Sequence, residues 1–341
     1  MSSKFIAVSW IISAITVACT GRPHDGAVVV NLDKPSSKKI NLKEYCESIE
    51  LLPLDDVNGL KPESNLSVFD RGFIIQNDST CLNYFDDEGS FQRELQFDDI
   101  ADFSTFRNER LFVLTPGGIE MYGLKDLSYE GSLPLPDTSF TYCKVGGKDD
   151  HSVVVLAVQG GRIYSGEYDI PKRVFYFPAD GGMKGGESAM KKMLDKSGFF
   201  YSESESYFFY SNTGEVYRMA DFYFLSYYWD FKHREPVQMC VSNVQKTTDK
   251  LFMQIETDKD DYCLITELEE NGYPWSSKLY SYTNTPCFPL GVFYGNVNHF
   301  LCNSSEMDQY VDRELLDDKG KATADSLRTA SCNLIIKYHL K

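Results

Sequence analysis

Residues 73–95 set a pattern that recurs along the chain. A short apolar strand beginning at Phe73 leads into a polar turn and a second, alternating strand around Leu82–Phe85. A tight acidic turn at Asp86–Gly89 and a third strand ending at Leu95 follow. Period-two alternation of this kind is the mark of β-strands with a buried face. Comparable units cover about 64–98, 99–134, 138–180, 198–235 and 237–282, and a last one begins near Phe288. Their spacing of about 35–50 residues is that of four-stranded sheets repeated around an axis. The pattern predicts an all-β chain, a six-bladed β-propeller of four-stranded antiparallel blades.

The ends predict how such a ring closes. Residues 27–32 (AVVVNL) read as a first strand, Asn41–Tyr45 as one helical turn and Cys46–Leu54 as another extended segment. The chain finishes on a strong strand, Asn333–Leu340. Pairing an N-terminal segment with that strand removes the open edge of the first and last blades. Two stretches interrupt the pattern. Residues about 180–196 are Gly-rich and then helix-compatible, an insertion on one face. Residues about 304–330 are polar and helix-compatible, with Met307, Tyr310, Val311, Leu315 and Leu316 at helical spacings.

The first residues read as an export signal. Lys4 gives a short basic start, Phe5–Val17 is apolar but for Ser9, Ser13 and Thr16, and Ala18-Cys19 resembles a bacterial lipobox. The run is too short for a comfortable membrane span. Thr16 stands where a lipobox usually has Leu, so a cleaved soluble signal and an uncleaved anchor stay open beside the lipoprotein reading. The expected organisation is a signal peptide over 1–18, a tether over 19–26 with Cys19 lipidated, and a propeller over 27–341. The expected location is the cell envelope, at the outer membrane.

Composition adjusts this picture. Aromatics make up 14%, with 22 Tyr and 23 Phe, many in strand-like runs where such residues pack well. The formal net charge of −16 disfavours nucleic acid, whose phosphates need a basic surface, and anionic lipid surfaces. Beyond Cys19 the cysteines lie at 46, 81, 143, 240, 263, 287, 302 and 332. None has zinc-ligand spacing, and they read as small buried residues, with one or two disulfides open in an exported protein.

Five segments carry a resemblance. Val28–Asp33, Ile40–Tyr45 and Glu47–Leu54 resemble the opening of the gut-bacterial six-bladed β-propeller lipoproteins, an NHL/TolB-like family. The hairpin Asn83–Gly89 and the ending Asn333–Lys341 are similar to theirs as well. The resemblance implies a six-bladed propeller behind a lipoprotein signal. It implies no reaction and no catalytic residues.

The candidate chemistry is sparse. Asp86-Asp87-Glu88-Gly89 lacks the alternating ligands and distal Glu of a calcium loop and reads as a hairpin turn with Gly89 at positive φ. Gly181–Ser188 lacks the GxxxxGK[ST] of a phosphate loop. His24, His151, His233, His299 and His339 show no HxH or HExxH spacing, and no GxSxG elbow occurs. A Ser/His/Asp set assembled in space stays open, as do paired carboxylates. The densest surface candidate is aromatic: Phe199–Tyr201, Tyr207–Tyr210 and Phe222–Phe231. Blade-to-blade packing accounts for many of these. Tyr227, Tyr228 and Trp229 are consecutive, however, and cannot all face one way in a strand. They are the expected ligand contacts. The expected function is a monomeric, non-catalytic binding or scaffold module that recognises protein or glycan, with no metal and no cofactor. The alternative is a glycan-active propeller hydrolase or lyase.

Overall fold

The computed structural model describes residues 40–341 except 58, 63, 108, 136–138, 160–161, 177–182, 185–198, 202–205, 211–214, 219–226, 231–234, 258–260, 269–273 and 283–286; over 199–242 it describes the backbone alone. The predicted strand at 27–32 and Cys19 therefore lie outside the described residues.

Asn41 caps a single turn, α1 (Leu42–Tyr45), by accepting from the Lys43 amide, and the chain runs straight into β1 (Cys46–Pro53). Sheet I holds β2 (Leu66–Phe69), β3 (Gly72–Asp78), β4 (Cys81–Asp86) and β5 (Phe91–Gln96). Sheet II holds β6 (Asp102–Phe106), β7 (Arg110–Thr115), β8 (Gly118–Gly123) and β9 (Ser128–Leu133). Sheet III holds β10 (Thr141–Asp149), β11 (Ser152–Gln159), β12 (Arg162–Asp169) and β13 (Val174–Tyr176), with the short β14 (Met183–Lys184) also on β12. Sheet IV holds β15 (Phe199–Tyr201), β16 (Ser206–Tyr210) and β17 (Glu215–Arg218). Sheet V holds β18 (Tyr227–Asp230), β19 (Glu235–Lys246), β20 (Lys250–Thr257), β21 (Asp261–Leu268) and β22 (Pro274–Ser281). Sheet VI completes the set with β23 (Val292–Tyr294), β24 (Val297–Asn303) and β25 (Asn333–Leu340), in the order β1-β25-β24-β23.

All strand pairs are antiparallel, and the sheets meet through their inner strands. β23 lies against β2, β2 against β6, β6 against β10, β15 against β19, and β19 against β23. Sheets of this kind set radially around an axis make a β-propeller. The expectation of six four-stranded blades is corrected in detail: five sheets have four or five strands, and the sheet over 199–218 has three among the described residues. The expected boundary between units at 235–237 is also displaced. β19 runs for 12 residues; its first part pairs with β18 (Tyr227↔Gln238, Asp230↔Glu235) and its remainder with β20 (Met239↔Thr257). One long strand thus joins what the sequence pattern divided.

Ring closure follows the expected logic. β25 inserts between β1 and β24, with Leu51↔Ile336 on one side and Phe300↔Ile336 on the other. One face of this strand is wholly apolar and buried, and the other carries Ile335 among the partly buried Asn333, Lys337 and His339. Leu334, Ile336 and Tyr338 join a core with Phe252, Phe288 and Phe293. Ile335 turns the other way, toward Phe73, Ile75 and Phe85. The segment after β24 folds as two short 3₁₀ turns and α2 (Asp318–Leu327), the latter capped by Asp317, whose carboxylate accepts from the Gly320 amide at 2.6 Å. Its Met307, Val311, Leu315, Leu316 and Leu327 pack with Leu42 and Tyr45 over sheet VI. At the acidic hairpin Gly89 has φ +85°, and an added Cβ would lie 2.3 Å from the Pro53 carbonyl oxygen. The Asp86 carboxylate there accepts from the Glu88 and Ser90 amides, so it serves the turn.

Ile336→Ala should cost about 2–5 kcal/mol, because its side chain is fully buried at the closing strand. Glu47→Ala, on the exposed side of the same sheet, should stay within about 0.5 kcal/mol. Urea unfolding of the two variants measures the difference.

Candidate functional site: the inner wall

Hydrogen-bonded ladders hold each sheet, but among the described residues no ladder joins one sheet to the next. Polar side chains on the inner strands make that connection. Between sheets I and II, Ser67 and Thr105 share a hydroxyl–hydroxyl bond of 2.8 Å, and Thr105 also donates to the Val68 carbonyl at 3.3 Å. Between sheets II and III, Asp102 accepts from Lys144 Nζ at 3.3 Å and from the Val145 amide at 2.9 Å. Between sheets V and VI, Asn243 donates to the Leu290 and Gly291 carbonyls, both at 3.1 Å, while Gln245 accepts from the Phe293 amide at 3.2 Å. Between sheets VI and I, the Tyr294 hydroxyl donates to Asp70.

Asp102 and Lys144 form the charged member of this set. Their side chains are only 13% and 14% exposed. Burial raises the Asp102 carboxyl above the usual carboxylate range, against the pull of Lys144 and the Val145 amide. A bulge in β10 between Tyr142 and Lys144 brings Lys144 to Asp102's side of the strand. Phe106, two turns of the pleat along from Asp102, closes over Gly147, where a Cβ would meet its ring at 2.4 Å.

One buried histidine stands at the boundary of sheets VI and I. His299 is 6% exposed, its ring 5.8 Å from that of Phe73. Burial, and secondarily Lys337, push its imidazole down from 6.5 to about 4. Lys337 itself pairs with Glu50 at 3.0 Å. Neutral imidazole is the form this packing accepts.

The other residues singled out in the sequence fall as follows. Asp149, His151 and Ser152 come together, but in a turn: the Ser152 hydroxyl and the His151 amide both bond the Asp149 carboxylate. The hydroxyl is thus bonded to the acid and not to the imidazole. Among the described residues no group of His, Cys, Asp and Glu is arranged to hold a metal ion. Seven cysteines are described, all as free thiols, five of them buried. Burial pushes Cys46, Cys263 and Cys302 up to about 12, which makes them unreactive. Tyr227, Tyr228 and Trp229 lie on β18 opposite Gln238, Val237 and Pro236; their side chains lie outside the described residues. Sequence reasoning missed Asp102, Lys144, Asn243 and Gln245, and weighed His299 only for metal and catalytic spacing. The available signal was polar residues inside apolar strand runs, such as Ser67 in LSVF.

No protein-family model matches the chain, and no curated protein does. Solved structures do. A protein described as exported, from Bacteroides fragilis, superposes with a TM-score of 0.57 at 12% identity, over 90% of this chain and 98% of that one. A protein described as TolB from Agrobacterium tumefaciens gives 0.40 at 9% identity, over 72% and 99%. Streptogramin B lyase gives 0.34 at 10% identity, over 68% and 86%. The first of these likenesses carries the fold; the other two are too distant to add to it.

Lys144→Met should strand a largely buried carboxylate and cost roughly 3 kcal/mol, while adding Asp102→Asn should recover part of the loss; thermal melts of the single and double variants test the coupling. A second expectation concerns pH. The unfolded chain takes up a proton at His299 below pH 6.5 that the folded chain refuses until about 4. Stability from this group is therefore whole above pH 6.5 and declines as pH falls toward 4, by at most about 3 kcal/mol. Urea midpoints of the parent should drop across that window more steeply than those of His299→Gln.

Proposed function

We propose that the protein is a lipid-anchored, non-catalytic binding or scaffold module of the cell envelope. It recognises protein or glycan through loops at one end of a six-bladed propeller. One observation supports the binding reading most directly. Several polar side chains of the described inner strands bond one another across sheet boundaries, as Ser67 does Thr105 and Asp102 does Lys144. Such groups stiffen a scaffold whose loops are then free to vary and bind.

The count of six takes the 199–218 sheet as a blade whose β15 lies against β19. The envelope location rests on the residues before Cys19, and the superposed Bacteroides protein is itself described as exported. In this reading Cys19 carries the lipid, residues 1–18 are removed, the mature protein is a monomer, and Tyr227, Tyr228 and Trp229 contact the ligand.

Two measurements test it. Mass spectrometry of the membrane fraction should find a lipidated N-terminal Cys19, and Cys19→Ala should move the protein to the soluble fraction; an intact Met1 end would overturn the anchor. A glycan and protein binding screen should find a ligand that Trp229→Ala and Tyr228→Ala lose at unchanged melting temperature. Depolymerisation of a glycan by the parent would replace the binding reading with the enzymatic one.

A further inference from the structure

The outer end of the gap between sheets I and II holds an aromatic shelf that the core does not require. Tyr129, on the outermost strand of sheet II, is 59% exposed, against 38% for Phe91 and 41% for Val174. It sits opposite Tyr122 in the β8–β9 ladder. The two rings meet edge to face with centroids 5.4 Å apart, and Tyr122 meets Phe97 of the facing sheet at 5.9 Å and 85°. Phe97 and Tyr122 rest on the apolar core between the two sheets. Tyr129 is therefore held from beneath while more than half of it stays in water.

Polar groups flank this shelf. The Tyr122 hydroxyl donates to Glu120 Oε2 at 2.9 Å, which fixes the half-buried carboxylate and leaves Oε1 available as an acceptor. From the facing sheet, the exposed Arg93 leans across the gap toward the Asp126 and Leu127 carbonyls at 3.4 and 3.5 Å. Neither Glu120 nor Arg93 forms an ion pair among the described residues. Hydrogen-bond capacity of both signs thus stands beside an exposed ring on a rigid base.

We propose that this shelf is a binding site for a neutral saccharide. The apolar face of a pyranose ring would stack on Tyr129, with its hydroxyls donating to Glu120 and accepting from Arg93. Pre-held aromatics beside a few convergent polar groups are what small-ligand recognition uses. The net charge of −16 disfavours uronic or sulfated chains, so the ligand proposed is neutral. The site stands apart from Tyr227–Trp229 and does not depend on that reading.

Affinity electrophoresis of the full chain tests the proposal with a galactomannan, a mixed-linkage β-glucan, a xylan, a dextran and soluble starch. Polygalacturonate and a sulfated galactan serve as the acidic arm. The parent should be retarded by at least one neutral polymer and by neither acidic one. Tyr129→Ala should weaken that retention by about tenfold or more at unchanged melting temperature, Tyr129→Phe should keep it, and Glu120→Gln should weaken it. Trp229→Ala should leave it intact. No retardation by any neutral polymer, retention equal to the parent in Tyr129→Ala, or preference for the acidic polymers would overturn the proposal. Loss through Trp229→Ala alone would do the same while favouring the β18 aromatics.

Discussion

The pairing of β1 with β25 is the interaction on which this architecture depends. A ring of sheets has no ladder running around it, so its first and last members separate unless something bridges them. Here the bridge is a strand contributed from each end of the described chain to one sheet, Cys46 opposite Leu340 and Pro53 opposite Leu334. The side chains of β25 then serve two cores at once, Ile336 toward sheet V and Ile335 toward sheet I. Removing that strand would open both gaps and leave the edges of β1 and β24 unpaired.

The polar contacts between inner strands act on a finer scale. Apolar packing between sheets is non-directional and tolerates sliding. A hydroxyl pair such as Ser67–Thr105, or amides such as Asn243 reaching the 290–291 carbonyls, has one good geometry. These contacts fix how one sheet is set against the next. They occupy the inner strands, where the sheets come closest and small displacements matter most. The Asp102–Lys144 pair adds a charged version of the same device, whose worth lies more in specifying position than in net stability.

Much of the fold was legible in the sequence because it is local. Short apolar runs gave β3, β7 and β11 and alternation gave β4, and the Asp86–Gly89 turn followed from a glycine that alone tolerates its φ of +85° so close to Pro53. The closing strand was legible because Leu334, Ile335, Ile336, Tyr338 and Leu340 are of use only if the strand joins a sheet. The β18–β19 boundary was not, since the point at which a long strand changes partner is decided by neighbours remote in sequence. The inner wall was not either. Asp102 and Lys144 are ordinary letters until β6 and β10 are set side by side, and His299 looks like any strand histidine until Phe73 covers it. Tyr129 escaped notice for the opposite reason: a lone tyrosine in SYEGSL is unremarked until Tyr122 and Phe97 form a base beneath it.

The position of β25 also governs the order in which the molecule can come into being. β1 emerges from the ribosome early, and its partner emerges only after the strands of every other sheet have been made. Sheets I to V can each form local hairpins as they appear, but sheet VI must wait, with β1 held unpaired. Long-range pairing of this kind is slow, because loop entropy must be overcome before any contact rewards it. The ring is therefore completed in a late step, and a chain stopped short of Asn333 would keep its hairpins and lack its seam.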